Sequence, residues 1–500
     1  MLHRASGVKW APVEAGQLAG SRRQPVATRT RGHYRVSKGA ILQAPVPFRR
    51  LLASAHGSTR RCTQLAMAAS QSQEAYYLGI DFGTSGARAA VVNGDGHPIA
   101  ESRQDYDTSQ DWGATWESAL WGLIAALPAE VVAAVKAVAI DGTSATTMLI
   151  DEKDGALLAP AKLYNEAQDT EVAARVKAIA PPQHTTTAPT SALCKVMAWQ
   201  DEGLLADVQR EGHQPRVLHQ ADWAAYKLHG LADVTDFNNS LKLGYDPQEE
   251  AYPSWLASQE FAPLLPRRVV APGQPVAKVQ PEVAQRTGLP ADCVVCGGTT
   301  DSIAAFIAAG LSEPGEAVTS LGSTMAIKMI STVRVDDASF GIYSHRLGDV
   351  WLVGGASNTG GAVLKKYFTA AELKALSSQI DPAKASGLDY YPLTKPGERF
   401  PILDPDLQPR LEPRPESDAQ FLHGMLEGIA KAEAQAFSLL RDLGADPLCR
   451  VLTAGGGANN PTWTAIRQNL LGVPVGVSPN GEASYGVALL ARQGAQKAEA

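Results

Sequence analysis

Cysteine is scarce in this chain of 500 residues: there are five, at positions 62, 194, 293, 296 and 449. So few, and an odd number, exclude a disulfide framework. Cys293 and Cys296 have the spacing of a redox pair. They sit in an apolar run closed by Gly297-Gly298, however, and that reads as a buried strand whose cysteines pack in the core. No second pair completes a zinc site, and His184, His213 and His219 lack partners at metal-ligand spacing, which makes them surface or core histidines. Long apolar runs are missing too. Nothing beyond residue 70 reaches the roughly 18 consecutive apolar residues of a membrane span, so no membrane partner is expected. Acid is nearly absent from the first 70 residues, where Glu14 stands against twelve Lys/Arg, a net of +11. The remaining 430 residues carry 33 basic and 50 acidic side chains, a net of −17. A surface of that sign repels phosphate backbones and excludes a nucleic-acid-binding body.

The basic arm has Ser, Thr, Ala and Pro between its arginines and no apolar segment long enough for a secretory signal. An Arg-rich, acid-poor, hydroxyl-containing leader reads as a disordered organelle transit peptide over 1–70. Arg60-Arg61-Cys62 and Ala66–Ser70 are candidate processing sites. A basic amphipathic helix at its start is not evident, which favours a plastid over a mitochondrion.

The body opens with an apolar strand, Tyr76–Ile80, and a polar turn, Asp81-Phe82-Gly83-Thr84-Ser85-Gly86. A second strand follows, Arg88–Val92, then the turn Gly94-Asp95-Gly96. A helix over 112–126 leads to strands Ala137–Asp141 and Thr147–Ile150. The stretch 165–290 reads as mainly helical. Strand Cys293–Cys296 runs through Gly297-Gly298-Thr299-Thr300-Asp301 into a helix, Ser302–Ala309, and Pro314-Gly315 marks a boundary. Beyond it Ala317–Leu321, the turn Gly322-Ser323-Thr324 and Met325–Ile330 repeat the strand, glycine-hydroxyl turn, strand pattern of 78–92. A long helix over 417–443, strand Arg450–Ala454, the run Gly455-Gly456-Gly457 and a helix from Pro461 follow. Strand Pro474–Val477 and a terminal helix from Glu482 complete the chain. Strands and helices in alternation make an α/β protein. Two related lobes, each offering one such turn, predict a cleft between them.

The first turn offers backbone N–H groups and two hydroxyls that can cradle phosphate oxygens. Asp81, at its strand end, can hold Mg²⁺ directly or through water. Gly322–Thr324 is a second such turn, and Gly455–Asn460 is a glycine-rich strand-to-helix connection suited to a nucleotide. An asparagine helix cap is the alternative. None is a Walker loop, because GxxxxGK[ST] is absent from all three. Asp301 fits a helix N-cap. It also stands where a general base for phosphoryl transfer to an alcohol would sit.

These segments together resemble the FGGY family of carbohydrate kinases. The likeness is carried by Leu78–Gly86, Cys296–Ser302, Ser320–Thr324, Gly397–Pro405 and Ala454–Leu471 and spans nearly all of 76–495. It implies the two-lobed actin/hexokinase/Hsp70 (ribonuclease H-like) ATPase fold. Residues 71–309 then form a lobe for sugar and catalytic base, and 310–481 a lobe for nucleotide. Residues 482–500 form a helix packing back on the first lobe. The resemblance implies phosphorylation of a sugar or polyol with MgATP. In it Asp301 is the catalytic base, and Asp81 serves Mg²⁺ and substrate. Gly83, Thr84, Gly322, Ser323 and Thr324 hold phosphates, and Gly456, Gly457 and Asn460 meet the nucleotide. Ser144 with Asp301 contacts the sugar. Gly142-Thr143-Ser144-Ala145-Thr146 stands where bacterial xylulose and glycerol kinases show Ser-Gly-Gln-x-His-Gly-like residues. Leu163–Asp169 stands where they show a Trp-x-Asp-x-Arg-like segment. These departures weigh against D-xylulose and glycerol. The chain looks most like the plant and cyanobacterial branch associated with D-ribulose, which implies a plastid, monomeric D-ribulose kinase. D-xylulose kinase, a non-catalytic ATP-binding regulator or a chaperone-like ATPase are the alternatives. Asp301 argues against the regulator and the Gly397–Pro405 motif against the chaperone.

Overall fold

The computed structural model describes residues 74–499 apart from Thr108, Gln183 and Ala338; the expected leader, 1–70, lies outside the described residues. Two sheets organise the rest. In the first the strand order is 98–105, 86–92, 76–82, 135–142, 294–296, 275–278, with Thr299–Thr300 also pairing on Val135–Gly142. The central strand Tyr76–Phe82 is antiparallel to Gly86–Val92 and parallel to Val135–Gly142. It is buried along nearly its whole length, so Leu78, Ile80 and Phe82 fill one core while Tyr77 points into another. A strand covered on both faces reads as the continuous apolar run seen here.

The second sheet repeats the plan. Its order is 345–347, 350–357, 325–331, 316–321, 450–454, 475–477. Glu316–Leu321 is antiparallel to Met325–Ser331 and parallel to Arg450–Ala454. Each sheet therefore has a central strand that turns back on itself on one side and meets a parallel crossover strand on the other. Asp418–Asp442 covers the second sheet, burying Phe421, Leu422, Met425, Leu426 and Ile429. Beneath it a buried ion pair crosses the core. Arg467 Nε and Nη2 donate to Glu433 at 2.6 and 2.7 Å, and Arg467 Nη1 donates to Thr453 Oγ1 at 2.5 Å.

The helix Asp301–Ile307 joins the two sheets. Ile303 and Phe306 pack with Val318, Ile330, Leu352 and Leu452 of the second sheet, while Ala304 meets the C-terminal helix. That helix, Ala483–Glu499, returns to the first sheet, placing Val487, Ala488 and Ala491 against Tyr77, Val92 and Ala139. Gly79 makes the return possible: a Cβ there would overlap the Ser484 carbonyl and the Ala488 amide.

The regular structure of 165–290 is mainly helical, as expected, but it also holds short strands: Pro215–His219 pairs with Thr147–Asp151, Val234–Asp236 with Arg268–Val270, and Pro275–Lys278 edges the first sheet. These strands have five residues or fewer, too few to show a period against the helices around them. The hairpin His345–Leu347 and Val350–Ser357, absent from the sequence reading, completes the second sheet. Cys293 and Cys296 are buried free thiols in separate core clusters, which leaves them as packing residues. Among the described residues no helix is long and apolar enough to cross a membrane.

Candidate active site

Parallel register brings the acids together. Asp81 pairs with Asp141, and Asp141 with Thr299; one position on, Phe82, Gly142 and Thr300 are neighbours. Asp301 follows Thr300 and opens its helix, where Oδ1 accepts the Ser302 N–H at 2.6 Å. Three carboxylates thus gather at one edge of the first sheet. Asp81 Oδ1 and both oxygens of Asp141 are buried without a hydrogen-bond partner. Burial pushes the Asp81 carboxyl up to about 6, with Asp301 adding to the rise, while Asp141 and Arg88 pull the other way. Asp141 is held well above the usual carboxylate range by burial first and then by Asp81. Asp301 is raised by burial and moderated by the Ser302 amide, Lys328 and Lys242. Buried anionic oxygens lacking partners are costly unless a cation or proton arrives. An oxygen-only set with open positions fits Mg²⁺, which keeps several waters and takes its other ligands from phosphates. Among the described residues no group of three or more His, Cys, Asp or Glu forms a ready-made metal cage.

The glycine turns are built as pairs. In the first, the Gly83 amide donates to the Gly86 carbonyl at 3.1 Å, leaving Thr84 and Ser85 exposed, and the Tyr106 hydroxyl braces Gly83 O at 3.1 Å. In the second, the Gly322 amide donates to Thr324 O at 3.1 Å. Gly361 and Ala362 amides hold Gly322 O and Ser323 O at 2.8 and 3.0 Å, and Gly322, Ser323 and Thr324 are exposed. Register Ser320 to Ala454 sets the third loop beside the second. Gly455 adopts φ 79° and lies against the Leu321 carbonyl, and a Cβ on Gly457 would press on the Leu321 side chain. Gly456 has open space around it. Asn460 caps the helix Pro461–Leu471: its Oδ1 accepts the Trp463 amide at 3.0 Å and its Nδ2 donates to Ser377 at 2.9 Å. Its side chain is thereby occupied in shaping the loop.

Ser144 lies in a strained turn just beyond Asp141, with Ala145 at φ 68°. Thr143 and Thr146 hydroxyls meet at 2.6 Å, and Gln220 Oε1 accepts from the Thr143 amide and hydroxyl at 3.0 and 2.9 Å. Lys195 reaches in from a helix to donate to Ala145 O and Leu163 O at 2.6 and 2.5 Å. Burial lowers its ammonium to about 7. Ser144 is half-buried and its hydroxyl has no protein partner among the described residues. Lys195 escaped the sequence reading, though its signal was there: one lysine inside the apolar helical run Ala192–Trp199. Asp141 stands in the sequence only as the last residue of the strand Ala137–Asp141, because its pairing with Asp81 is a matter of register.

The histidines take ordinary roles: His213 meets Asp151 at 2.7 Å, His219 meets Asp222 at 2.6 Å, and His184 meets Thr186 at 2.8 Å. The Gly397–Pro405 segment braces the second sheet, with Glu398 accepting from the Ser357 hydroxyl and the Asn358 amide at 2.6 and 2.7 Å.

Two lobes of repeated plan, each with a glycine-hydroxyl turn at its central strand end, define a two-domain phosphotransferase fold. The sequence matches the N-terminal domain of the FGGY family of carbohydrate kinases over residues 76–308 and its C-terminal domain over 320–494, and the chain belongs to that family. It is similar to xylulose kinase of Bacillus subtilis, 24% identical over 458 residues that cover 84% of this chain and 88% of the relative. L-fuculokinase of Salmonella typhi is 24% identical over 445 residues, covering 81% and 89%. Among solved structures, a xylulose kinase from Brucella ovis superposes with a TM-score of 0.71 at 24% identity, covering 84% and 91%. Plasmodium falciparum glycerol kinase with ADP gives 0.70 at 15%, covering 84% and 89%. The fold is the two-domain actin/hexokinase-like ATPase fold, and the protein is a sugar kinase.

Proposed function

We propose that the chain is a MgATP-dependent pentulose kinase that converts D-ribulose to D-ribulose 5-phosphate. The supporting observation is the convergence of Asp81, Asp141 and Asp301 at one strand edge of the first lobe, with paired glycine turns at the strand ends of the second. Asp301 takes the proton of the attacking sugar hydroxyl. As it does so the new O–P bond forms, the bond from Pγ to the bridging oxygen breaks, and its electron pair leaves with ADP. Asp81 and Asp141 would hold Mg²⁺, which when bound would neutralise phosphate charge. The amides and hydroxyls of Gly83–Thr84 and Gly322–Thr324 hold phosphate oxygens, and Gly456 and Gly457 let the nucleotide approach the backbone. Asn460 acts on the nucleotide through the loop it caps. Ser144, with a hydroxyl unspent on protein and a turn locked by Lys195 and Gln220, grips the sugar beside Asp301. Closure of the lobes excludes water.

D-Ribulose is preferred because residues 142–146 lack the Gln and His, and residues 163–169 the Trp and Arg, of the xylulose and glycerol kinase patterns. D-Xylulose is the second reading, favoured by relatives named xylulose kinase at 24% and 22% identity. A phosphorylation assay with D-ribulose, D-xylulose, L-ribulose, ribitol and glycerol decides between them: turnover confined to D-xylulose sinks the first. Asp301→Ala should lose about 10³–10⁴-fold in kcat while still binding ATP; retained turnover removes Asp301 as base. The plastid address and the monomeric state belong to the same proposal, tested by uptake of the full chain into isolated chloroplasts and by sedimentation.

A further inference from the structure

One cation of the second lobe reaches the residue next to the base. Along Met325–Ser331 the side chains alternate: Met325, Ile327 and Met329 enter the second lobe's core, while Ile330 packs toward the helix Asp301–Ile307 on the opposite face. Lys328 shares that opposite face, two residues before Ile330, above the start of the helix. Its Nζ donates to the Ser302 carbonyl at 2.8 Å. A lysine ammonium has three N–H donors, so this tie leaves two unused. Lys328 also lines a cavity of about 210 Å³ with Tyr343, His345 and Arg399, so its stem is not packed shut.

Its strand begins at the residue after Thr324, so Lys328 is rigidly linked to the Gly322–Thr324 turn. It therefore bridges the turn that would hold ATP phosphates and the helix start that carries Asp301. A triphosphate entering beside Asp81, Asp141 and Asp301 meets two buried carboxylates and a partly exposed one, and Mg²⁺ offsets only part of that repulsion. The cations acting on Asp301 are Lys328 and Lys242, the latter in the short helical turn Ser240–Leu243 of the first lobe. Lys328 alone of the two lies on the lobe that carries the Gly322 turn.

On the kinase reading above, we propose that Lys328 is a catalytic residue whose ammonium binds the phosphoryl group in transit, from the Gly322–Thr324 side, while its third donor keeps the Asp301 helix aligned. The lysine keeps its protons throughout. The sugar hydroxyl proton goes to Asp301, the phosphoryl group to the sugar oxygen, and the electron pair to ADP, with no further reactant. Such a donor acts most strongly on charge that spreads over the phosphoryl oxygens as the bonds exchange, so its loss shows in kcat before it shows in binding.

The test uses the full chain, ATP, Mg²⁺ and the sugar of the panel that the wild-type protein phosphorylates. K328M is expected to lose about 10²–10³-fold in kcat, with KM for sugar and ATP within roughly threefold and an unchanged melting temperature. K328R, which keeps the charge, is expected to regain at least about tenfold of that loss. A purely structural tie would move the melting temperature and KM instead. K328M at wild-type kcat overturns the proposal, as does a K328R no faster than K328M. Should K328M lose its cooperative melt, K328R decides alone: kcat within about tenfold of wild type supports Lys328, and a loss of about 10²-fold or more overturns it. A wild-type chain that phosphorylates no sugar removes the kinase reading and this proposal together, whereas active wild type with equally active K328M removes only Lys328.

Discussion

Three carboxylates at one strand edge, two of them buried with unpartnered oxygens, make a site that is uncomfortable without its cation. An acid held at about 6 when folded, as Asp81 is, binds more protons in the folded than in the unfolded state between roughly pH 4 and 6. Its contribution to the stability of the metal-free protein therefore improves as pH falls through that window and worsens as pH rises. Asp141→Asn should raise metal-free stability at pH 7 by about 1–3 kcal/mol and lower activity sharply. Calorimetry between pH 5 and 8 and a kinase assay check both halves. Lys195 works at the same scale through the Ser144 turn. Lys195→Met should raise the sugar KM by roughly tenfold or more and leave ATP affinity unchanged, read by titration with each substrate separately. The glycines and hydroxyls of 81–86 and 322–324 were legible because the backbone itself needs those residue types. Asp141, Lys195 and Lys328 were not, since each acquires its meaning from a strand register or a reach of side chain that one dimension does not encode.

Elements carry the precision of the nucleotide side. Strands Glu316–Leu321 and Arg450–Ala454 end in adjacent glycine loops, and the Arg467–Glu433 pair lies one register step below, where Thr319 and Thr453 face each other. Both charged side chains are 1% exposed, so neither tolerates losing the other. Arg467→Met should cost about 3–5 kcal/mol, whereas replacing both partners by apolar residues of similar volume should recover much of it. Paired denaturant titrations of the single and double variants check this. The repeat of strand, glycine turn and strand could be read from the sequence at both places. The strands between 215 and 278 could not, because three to five residues are too few to show a period, and the hairpin His345–Ser357 was not legible either.

At the scale of the whole molecule, charged clasps tie a loop of the first lobe to the second. Arg334 holds Asp246 at 2.8 Å, and Arg346 holds Glu250 at 2.8 Å while resting on the Phe237 ring. Partly exposed pairs of this kind are weak singly. The double variant Asp246→Ala, Glu250→Ala should raise sugar KM by about three- to tenfold and enlarge the substrate-bound protein in small-angle scattering. The two-lobed plan followed from the repeated turns, but the clasps did not, because their partners lie about ninety residues apart. The return of the Ala483–Glu499 helix to the first sheet through Gly79 bears on how the molecule is made. The first lobe's central strand is among the earliest parts of the described chain to be synthesised, yet the surface that seals it is the last. A nascent chain therefore carries an incomplete, apolar-faced first lobe until residues 483–499 have emerged, and chaperone holding acts on that unfinished form.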